Sequence, residues 1–259
     1  MRDTNRVAHV TLRFFMFFMS FATLKLAYWQ NLKEKGQRTV RKSGKKLLFT
    51  GSIFIVAFIT WTLLIQKVDV KSLGVNGTNI GFATINCWFH KLTGVHMTLY
   101  TITDWMGLIP IFICMIFGVM GLIQLIQRRS LFKVDYDIIF LGIYYVLVIF
   151  GYLIFEMIPI NYRPILIEGF LEASYPSSTT LLVLCVMPTC IEQVNRRSES
   201  LIVKRIVQVV VICFSIFMVI GRLIAGVHWL TDIVGSIMLS VGLFCIYKSS
   251  VLLCYKGEN

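Results

Sequence analysis

The chain has 259 residues, of which 57% are hydrophobic and 15% are charged, and its mean hydropathy is +0.76. This composition excludes a soluble globular domain, because several apolar runs reach the roughly 20 residues that a helix needs to cross a bilayer. The formal net charge of +12 does not indicate nucleic-acid binding, since the basic residues cluster in short segments between apolar runs. We therefore predict an integral membrane protein with no nucleic-acid partner.

The chain begins with a hydrophobic and basic extension, predicted over residues 1–46, and continues as one membrane domain over residues 47–259. Val10–Trp29 is apolar but is interrupted by Arg13 and Lys25, so it adds a further membrane helix, lies in the interface or forms a poorly ordered extension. Residues 31–46 hold seven Lys or Arg and one Glu, a pattern typical of the cytoplasmic side.

Continuous apolar runs follow, and because they do not alternate with polar residues they favour helices over strands. The predicted class is all-α, a polytopic membrane bundle with six core transmembrane helices. The basic links between the helices place both ends of the bundle in the cytoplasm and three connecting segments outside. The predicted spans are Leu47–Gln66, Gly107–Ile126, Tyr136–Met157, Ser177–Val194, Ile206–Leu223 and Thr231–Ser249.

The outer segments contain the polar residues that suggest chemistry. His228 and Asp232 are four residues apart, so on a helix they share one face. A carboxylate there can hold one imidazole nitrogen and leave the other free as a nucleophile or base. Arg222 adds a planar fork of donors that fits phosphate. The pattern predicts phosphoryl chemistry at the membrane edge, although a histidine satisfied in the interface and an arginine anchored at the headgroups also fit it.

The residues in two outer segments resemble the type-2 phosphatidic acid phosphatase superfamily, membrane lipid phosphatases whose soluble relatives include vanadium haloperoxidases. Its three motifs are written K-x6-RP, PSGH and SR-x5-H-x3-D. The resemblance runs from about Leu47 to the C-terminus, with the motifs between about residues 150 and 240. The matching residues are Arg163-Pro164 in the first motif, Pro176-Ser177 in the second, and Arg222, His228 and Asp232 in the third.

The resemblance implies a catalytic role for four of these side chains. His228 would be the nucleophile and form a phosphohistidine that water resolves. Asp232 would fix its tautomer and stabilise the imidazolium. Arg163 and Arg222 would neutralise the phosphate oxygens in the transition state.

A phosphate-binding role is implied for Ser177, Ser178 and Thr179, together with the two arginines. These three residues open a predicted helix, whose free N–H groups and hydroxyls make an anion site. The serines fit equally well as N-caps, and capping is compatible with phosphate binding.

The chain departs from the motifs at four positions. Glu156 stands at the lysine position of the first motif, and Gly221 replaces the serine of the third. In the second motif Ser178 replaces glycine and Thr179 replaces histidine. The histidine that serves the family as general acid is therefore missing, whereas the nucleophile and both arginines remain.

Glu156, Glu168 and Glu172 are the candidates for a substitute acid, and each also fits as a partner of an arginine. A diphosphate can leave without an acid, because its leaving group is a phosphate-ester anion whose second pKa is about 6. An isoprenoid carrier diphosphate therefore suits this site better than phosphatidate.

The sequence thus predicts a membrane lipid phosphatase, with its site outside the cytoplasm, acting on a lipid phosphate or diphosphate of an isoprenoid carrier or phosphatidate type. The alternative is a catalytically weak or inactive protein that binds lipid phosphate. No cofactor is predicted. The seven cysteines form no metal-ligand spacing, so no metal is predicted either.

Overall fold

The computed structural model describes residues 36–254, and Val10–Trp29 lies outside this range. Between residues 36 and 254 the fold is helical, with short 3-10 turns and three isolated bridges in place of any strand. This confirms the predicted all-α class. The helices are α1 (Gly36–Ile65), α2 (Ala83–Thr93), α3 (Met97–Met106), α4 (Leu108–Arg128), α5 (Tyr136–Met157), α6 (Ser178–Arg197), α7 (Leu201–Ile224) and α8 (Leu230–Cys254).

Helices lie at all six predicted places, and five helical segments of the described chain are long and apolar enough to cross a membrane. These segments are α1, α3 joined to α4, α5, α7 and α8. The predicted bounds of α5 coincide with the observed ones. Helix α6 is the exception because it is less apolar. It packs against α4, α5, α7 and α8, so its polar side chains contact protein rather than lipid.

The segment between residues 67 and 106, which separates the first two predicted spans, contains two helices. Residues 71–81 form turns, and α2 and α3 follow them. Helix α2 exposes Trp88 and Leu92 and buries Asn86. The amide of Asn86 donates to Thr231 Oγ1 (3.0 Å) and accepts from the Thr231 N–H (3.3 Å). This pair of contacts holds α2 against the first turn of α8.

Aromatic side chains fill the core directly beneath the polar end of the bundle. The ring of Tyr175 is stacked on Phe58, with centroids 6.0 Å apart, and meets Phe155 edge-on at 5.7 Å. Its hydroxyl lies 2.7 Å from Thr62 Oγ1, so the buried phenol keeps a hydrogen bond. Tyr175 immediately precedes Pro176 and α6, and this packing fixes where α6 begins.

A polar network ties the helices together at the opposite end of the bundle. Arg197 Nη1 donates to the buried Asp137 (2.9 Å), which joins the end of α6 to the start of α5. Gln193 Nε2 donates to Tyr247 Oη on α8 (3.2 Å). Since α6 is anchored there by paired charges, its other end is held in register with α5 and α8.

The connector between α7 and α8 is held by the end of α2 and the start of α3. His96 N–H donates to the Ala225 carbonyl (3.0 Å), and His90 Nε2 contacts the Gly226 carbonyl (3.1 Å). His90 and His96 therefore serve as tethers. Gly226 has a φ of +70°, and a Cβ there would lie 2.0 Å from the Gly94 carbonyl oxygen. Only glycine fits this contact.

Gly226→Ala is expected to lower the free energy of unfolding by about 1–3 kcal/mol, because it combines a strained φ with a backbone clash. Gly118→Ala is the matched control, since nothing lies within 4 Å of the added methyl and alanine favours the helix. Thermal unfolding of both variants in detergent measures the difference. Equal unfolding midpoints for Gly226→Ala and Gly118→Ala would contradict the claim that only glycine fits at position 226.

Candidate active site

His228 lies in the connector between α7 and α8 and is 3% exposed. Its Nδ1 is 3.1 Å from the Ser174 carbonyl oxygen and 3.6 Å from Asp232 Oδ2. A carbonyl oxygen can only accept, so Nδ1 carries the proton and Nε2 is unprotonated. The predicted tautomer therefore follows mainly from Ser174, with the carboxylate of Asp232 as the second neighbour.

Asp232 is fully buried in the first turn of α8. Its Oδ2 accepts from the Trp229 N–H (2.9 Å), which caps the start of the helix. Its backbone carbonyl accepts from the Ser177 N–H (3.4 Å), which joins α8 to the start of α6. The same residue thus fixes the imidazole, the helix end and the neighbouring motif.

Arg222 and Arg163 bring two buried guanidinium groups to the same place. They are 1% and 8% exposed, and their Cζ atoms lie 4.9 and 5.9 Å from the centroid of the Tyr100 ring. Nη2 of Arg222 is 3.4 Å from His228 Nε2. Two positive charges thus converge on the unprotonated nitrogen of the histidine, as binding of a phosphoryl group requires.

Each of these arginines has a donor atom without a partner among the described residues. The two atoms are Nε of Arg222 and Nη1 of Arg163. Nε of Arg163 lies 3.0 Å from Glu172 Oε2, as an ion pair without hydrogen-bond geometry. Buried guanidinium N–H groups that are left unpaired cost free energy, and an anion in the site would satisfy them.

The surroundings keep the imidazole of His228 neutral. Burial lowers the pKa of His228 well below its ordinary value of 6.5, and the charges of Arg163 and Arg222 lower it further. A neutral imidazole with a free Nε2 is the form that can attack phosphorus.

A cavity of about 200 Å³ opens beside these groups. Arg163, Ser178 and His228 line it together with Glu156 and Glu172. The two glutamates give the cavity a mixed charge. Glu172 pairs with Arg163, whereas Glu156, at the lysine position of the first motif, is exposed at the cavity wall.

A larger apolar groove of about 480 Å³ adjoins the cavity between α4, α5 and α6. The two spaces share Tyr152, Ser178 and Leu181 in their walls. Asp104 and Thr179 line the groove but not the cavity. A polar pocket continuous with an apolar groove has the shape that a lipid with a charged headgroup needs.

The remaining predicted site residues occupy different surroundings. Ser177 is buried and its hydroxyl donates to Thr180 Oγ1 (3.0 Å), while no side chain caps the start of α6. Thr179, predicted to bind phosphate, lies in the groove because α6 turns it towards α4. Glu168 has a φ of +50° beside Gly169, at the tip of the turn between Ile167 and Phe170. It is exposed and lines neither space.

Three residues at the site escaped the sequence argument. Ser174 contributes a backbone carbonyl, Tyr100 contributes a ring, and Asp104 contributes an oxygen 3.3 Å from Arg222 Nη1. A backbone carbonyl leaves no signal in the sequence. Asp104 did leave such a signal, because it is an isolated carboxylate close to a predicted span. Between residues 36 and 254, no three His, Cys, Asp or Glu side chains are grouped so as to hold a metal ion.

Comparison with known proteins agrees with this fold. The structure is similar to the crystal structure of a transmembrane PAP2-type phosphatidylglycerolphosphate phosphatase from Bacillus subtilis, with a TM-score of 0.60 and 15% sequence identity. The match covers 81% of this chain and 100% of that chain, and at this identity it is a likeness of fold. No curated protein sequence matches significantly.

The sequence model of the PAP2 superfamily matches residues 111–254, more than half of the chain. The matched range includes Arg163, the start of α6, Arg222, His228 and Asp232. The chain therefore belongs to the PAP2 superfamily.

Proposed function

We propose that the chain hydrolyses a phosphate or diphosphate ester of a lipid through a phosphohistidine intermediate on His228. The observation that carries this proposal is the unprotonated Nε2 of His228, which faces the Arg222 guanidinium at 3.4 Å. Nε2 attacks phosphorus while Arg222 and Arg163 balance the charge on the phosphoryl oxygens. Asp232 and the Ser174 carbonyl stabilise the imidazolium through Nδ1–H. Water then attacks the phosphohistidine and releases phosphate.

The lipid nature of the substrate is supported by the apolar groove next to the cavity. A headgroup phosphate in the cavity would place a hydrocarbon chain in the groove, among α4, α5 and α6. The name of the Bacillus subtilis neighbour, a phosphatidylglycerolphosphate phosphatase, agrees with a phospholipid substrate. The mechanism uses no cofactor.

An extracytoplasmic site is part of the proposal. Arg222, His228 and Asp232 lie at one end of the bundle, whereas the basic residues cluster at the other. Loops rich in Lys and Arg remain in the cytoplasm, which places both ends of the six-helix core there. The basic residues at that end include Arg128, Arg129, Lys133, Arg196, Arg197, Lys204 and Arg205.

The leaving group separates the candidate substrates. Thr179 stands where the family has its acid histidine, and a threonine hydroxyl is too weak an acid to serve as a general acid near neutral pH. A diphosphate leaves as a phosphate-ester anion and needs no such proton, since the second pKa of that group is about 6. We therefore propose that a lipid diphosphate, of the isoprenoid carrier type, is turned over faster than phosphatidate.

The purified protein is expected to release phosphate from an isoprenyl diphosphate faster than from phosphatidate in the same detergent. His228→Ala is expected to lower both rates by about 10³-fold or more, because it removes the nucleophile. Lys133→Gln, at an exposed lysine at the far end of the bundle and outside both spaces, is the control. Equal silence of wild type and His228→Ala on every lipid phosphate would favour the alternative, an inactive lipid-phosphate-binding protein. Faster turnover of phosphatidate would contradict only the proposed preference for a diphosphate, and not the lipid phosphatase function.

In its pH profile, kcat/KM is expected to fall on the acidic side only well below pH 6.5, once the substrate's own ionisation has been subtracted. This fall is the acid limb of the profile. The lowered pKa of His228 keeps the imidazole neutral as the pH falls through 6.5, so the reactive form is lost only at lower pH. Arg163→Gln removes one nearby positive charge, which raises the pKa of His228 and moves the limb to higher pH. Arg129→Gln, at the far end of the bundle, should not move it. A wild-type limb at or above 6.5 contradicts this account.

A further inference from the structure

The space left by the missing histidine of the second motif lies next to a carboxylate. Thr179 faces the joint between α3 and α4, and a Cβ added to Gly107 would lie 3.2 Å from Thr179 Cγ2. Asp104 is one turn before Gly107, and like Gly107 and Thr179 it lines the apolar groove. Its Oδ1 is 3.3 Å from Arg222 Nη1, and the same guanidinium contacts His228. Asp104 thus adjoins both the vacated position and the phosphate-binding arginine.

The other carboxylates near the site are placed differently. Asp232 is fully buried beside the nucleophile and accepts from the Trp229 N–H. Glu172 pairs with Arg163, and it lines the cavity with Glu156. Glu168 lies at the tip of a turn. Asp104 is the acidic residue in the wall of the groove, and its side chain is 54% exposed, so it is open to a ligand.

The position of the groove indicates which substrate atom Asp104 would meet. His228 and Arg163 line the cavity, so the phosphoryl group belongs there. The hydrocarbon belongs in the groove. The ester oxygen that joins the two must lie where cavity and groove meet, at the wall shared by Tyr152, Ser178 and Leu181. This oxygen is the leaving atom, and Asp104 lines the groove that opens from this junction.

We propose that Asp104 is the general acid of this chain, donating a proton to the leaving oxygen of lipid phosphomonoesters in place of the histidine absent at Thr179. The proposal rests on the lipid phosphatase function proposed above. Asp104 lies outside residues 111–254, the range that matches the superfamily. The assignment therefore comes from the geometry of α3 and not from a motif.

The step is balanced in atoms and charge. The substrate supplies the proton, because a phosphomonoester monoanion retains one until its second pKa of about 6. Asp104 takes that proton from a phosphoryl oxygen and passes it to the ester oxygen in one relay. The Nε2–phosphorus bond forms as the bond from phosphorus to the ester oxygen breaks, and the lipid leaves as a neutral alcohol. Asp104 next relays a proton from the attacking water to the phosphate that leaves His228, so its side chain ends the cycle as it began.

The test is the leaving-group dependence of Asp104→Asn. Asparagine keeps an oxygen that can accept from Arg222, so the variant preserves position and removes the proton. Asp104→Asn is expected to lower kcat on phosphatidate by about 10²-fold or more and to leave kcat on isoprenyl diphosphate within about threefold of wild type. Asp104→Glu is expected to retain part of the phosphatidate activity. The ratio of the two rates does not depend on how much of the variant is folded.

Two further variants complete the design. Thr179→His in the Asp104→Asn background is expected to restore phosphatidate turnover by about tenfold or more, because it returns an acid to the groove. Asp69→Asn removes a carboxylate at the same end of the bundle, outside both spaces, and is expected to change neither rate.

Each outcome decides a separate claim. Equal losses on both substrates would show that Asp104 only positions Arg222, and no loss on phosphatidate would show that another group supplies the proton. Either result overturns the assignment while leaving the lipid phosphatase function intact. Undiminished turnover in His228→Ala, or none in wild type, would overturn that function and the assignment with it.

Discussion

Two buried arginines at one end of the bundle are the constraint on which the rest of the site depends. Arg163 and Arg222 converge over the ring of Tyr100, and both have N–H groups without partners among the described residues. Like charges brought together away from water are costly unless an anion lies between them. Asp104 and Glu172 offset part of this cost from the rim, as half-exposed partners. What remains unsatisfied is the donor pattern that a phosphoryl group matches.

The polar contacts around the arginines explain why the connectors of this end are so firmly held. His228 is fixed from three directions, by the Ser174 carbonyl, by Asp232 and by Arg222. The connector that carries it is in turn held by the backbone of His96. An imidazole inside such a frame has little freedom to turn away from the cavity, which suits the nucleophilic role proposed for it. The helices below contribute rigidity, through the aromatic core at Tyr175.

The sequence indicated that Arg222, His228 and Asp232 would lie together, but it did not indicate Asp104 or Ser174 beside them. The spacing of Arg222, His228 and Asp232 is local, so it could be interpreted as one helical turn and a loop. Asp104 reaches Arg222 from 118 residues away, and Ser174 reaches His228 from 54 residues away through a carbonyl. Neither contact follows from periodicity. Asp104 reaches the site because α3 packs on α7.

The helices show the same division between local and long-range information. The bounds of α5 agree with the span predicted at about Tyr136–Met157, because that span is one long apolar run. Helix α6 was predicted as a span from its length, but its polar character reflects a central place in the bundle that only tertiary packing reveals. Helix α2 was missed because a short amphipathic helix at a membrane edge lacks the long apolar run that marks a span.

Trapping of the phosphoenzyme tests the central claim most directly. Purified protein is mixed with a radiolabelled lipid phosphate and quenched within one turnover in alkali, in which phosphohistidine survives, and the labelled peptide is identified by mass spectrometry. The account predicts label on His228, at a level that rises before steady-state phosphate release and is absent in His228→Ala. Label on another side chain, or steady-state turnover undiminished in His228→Ala, would contradict it.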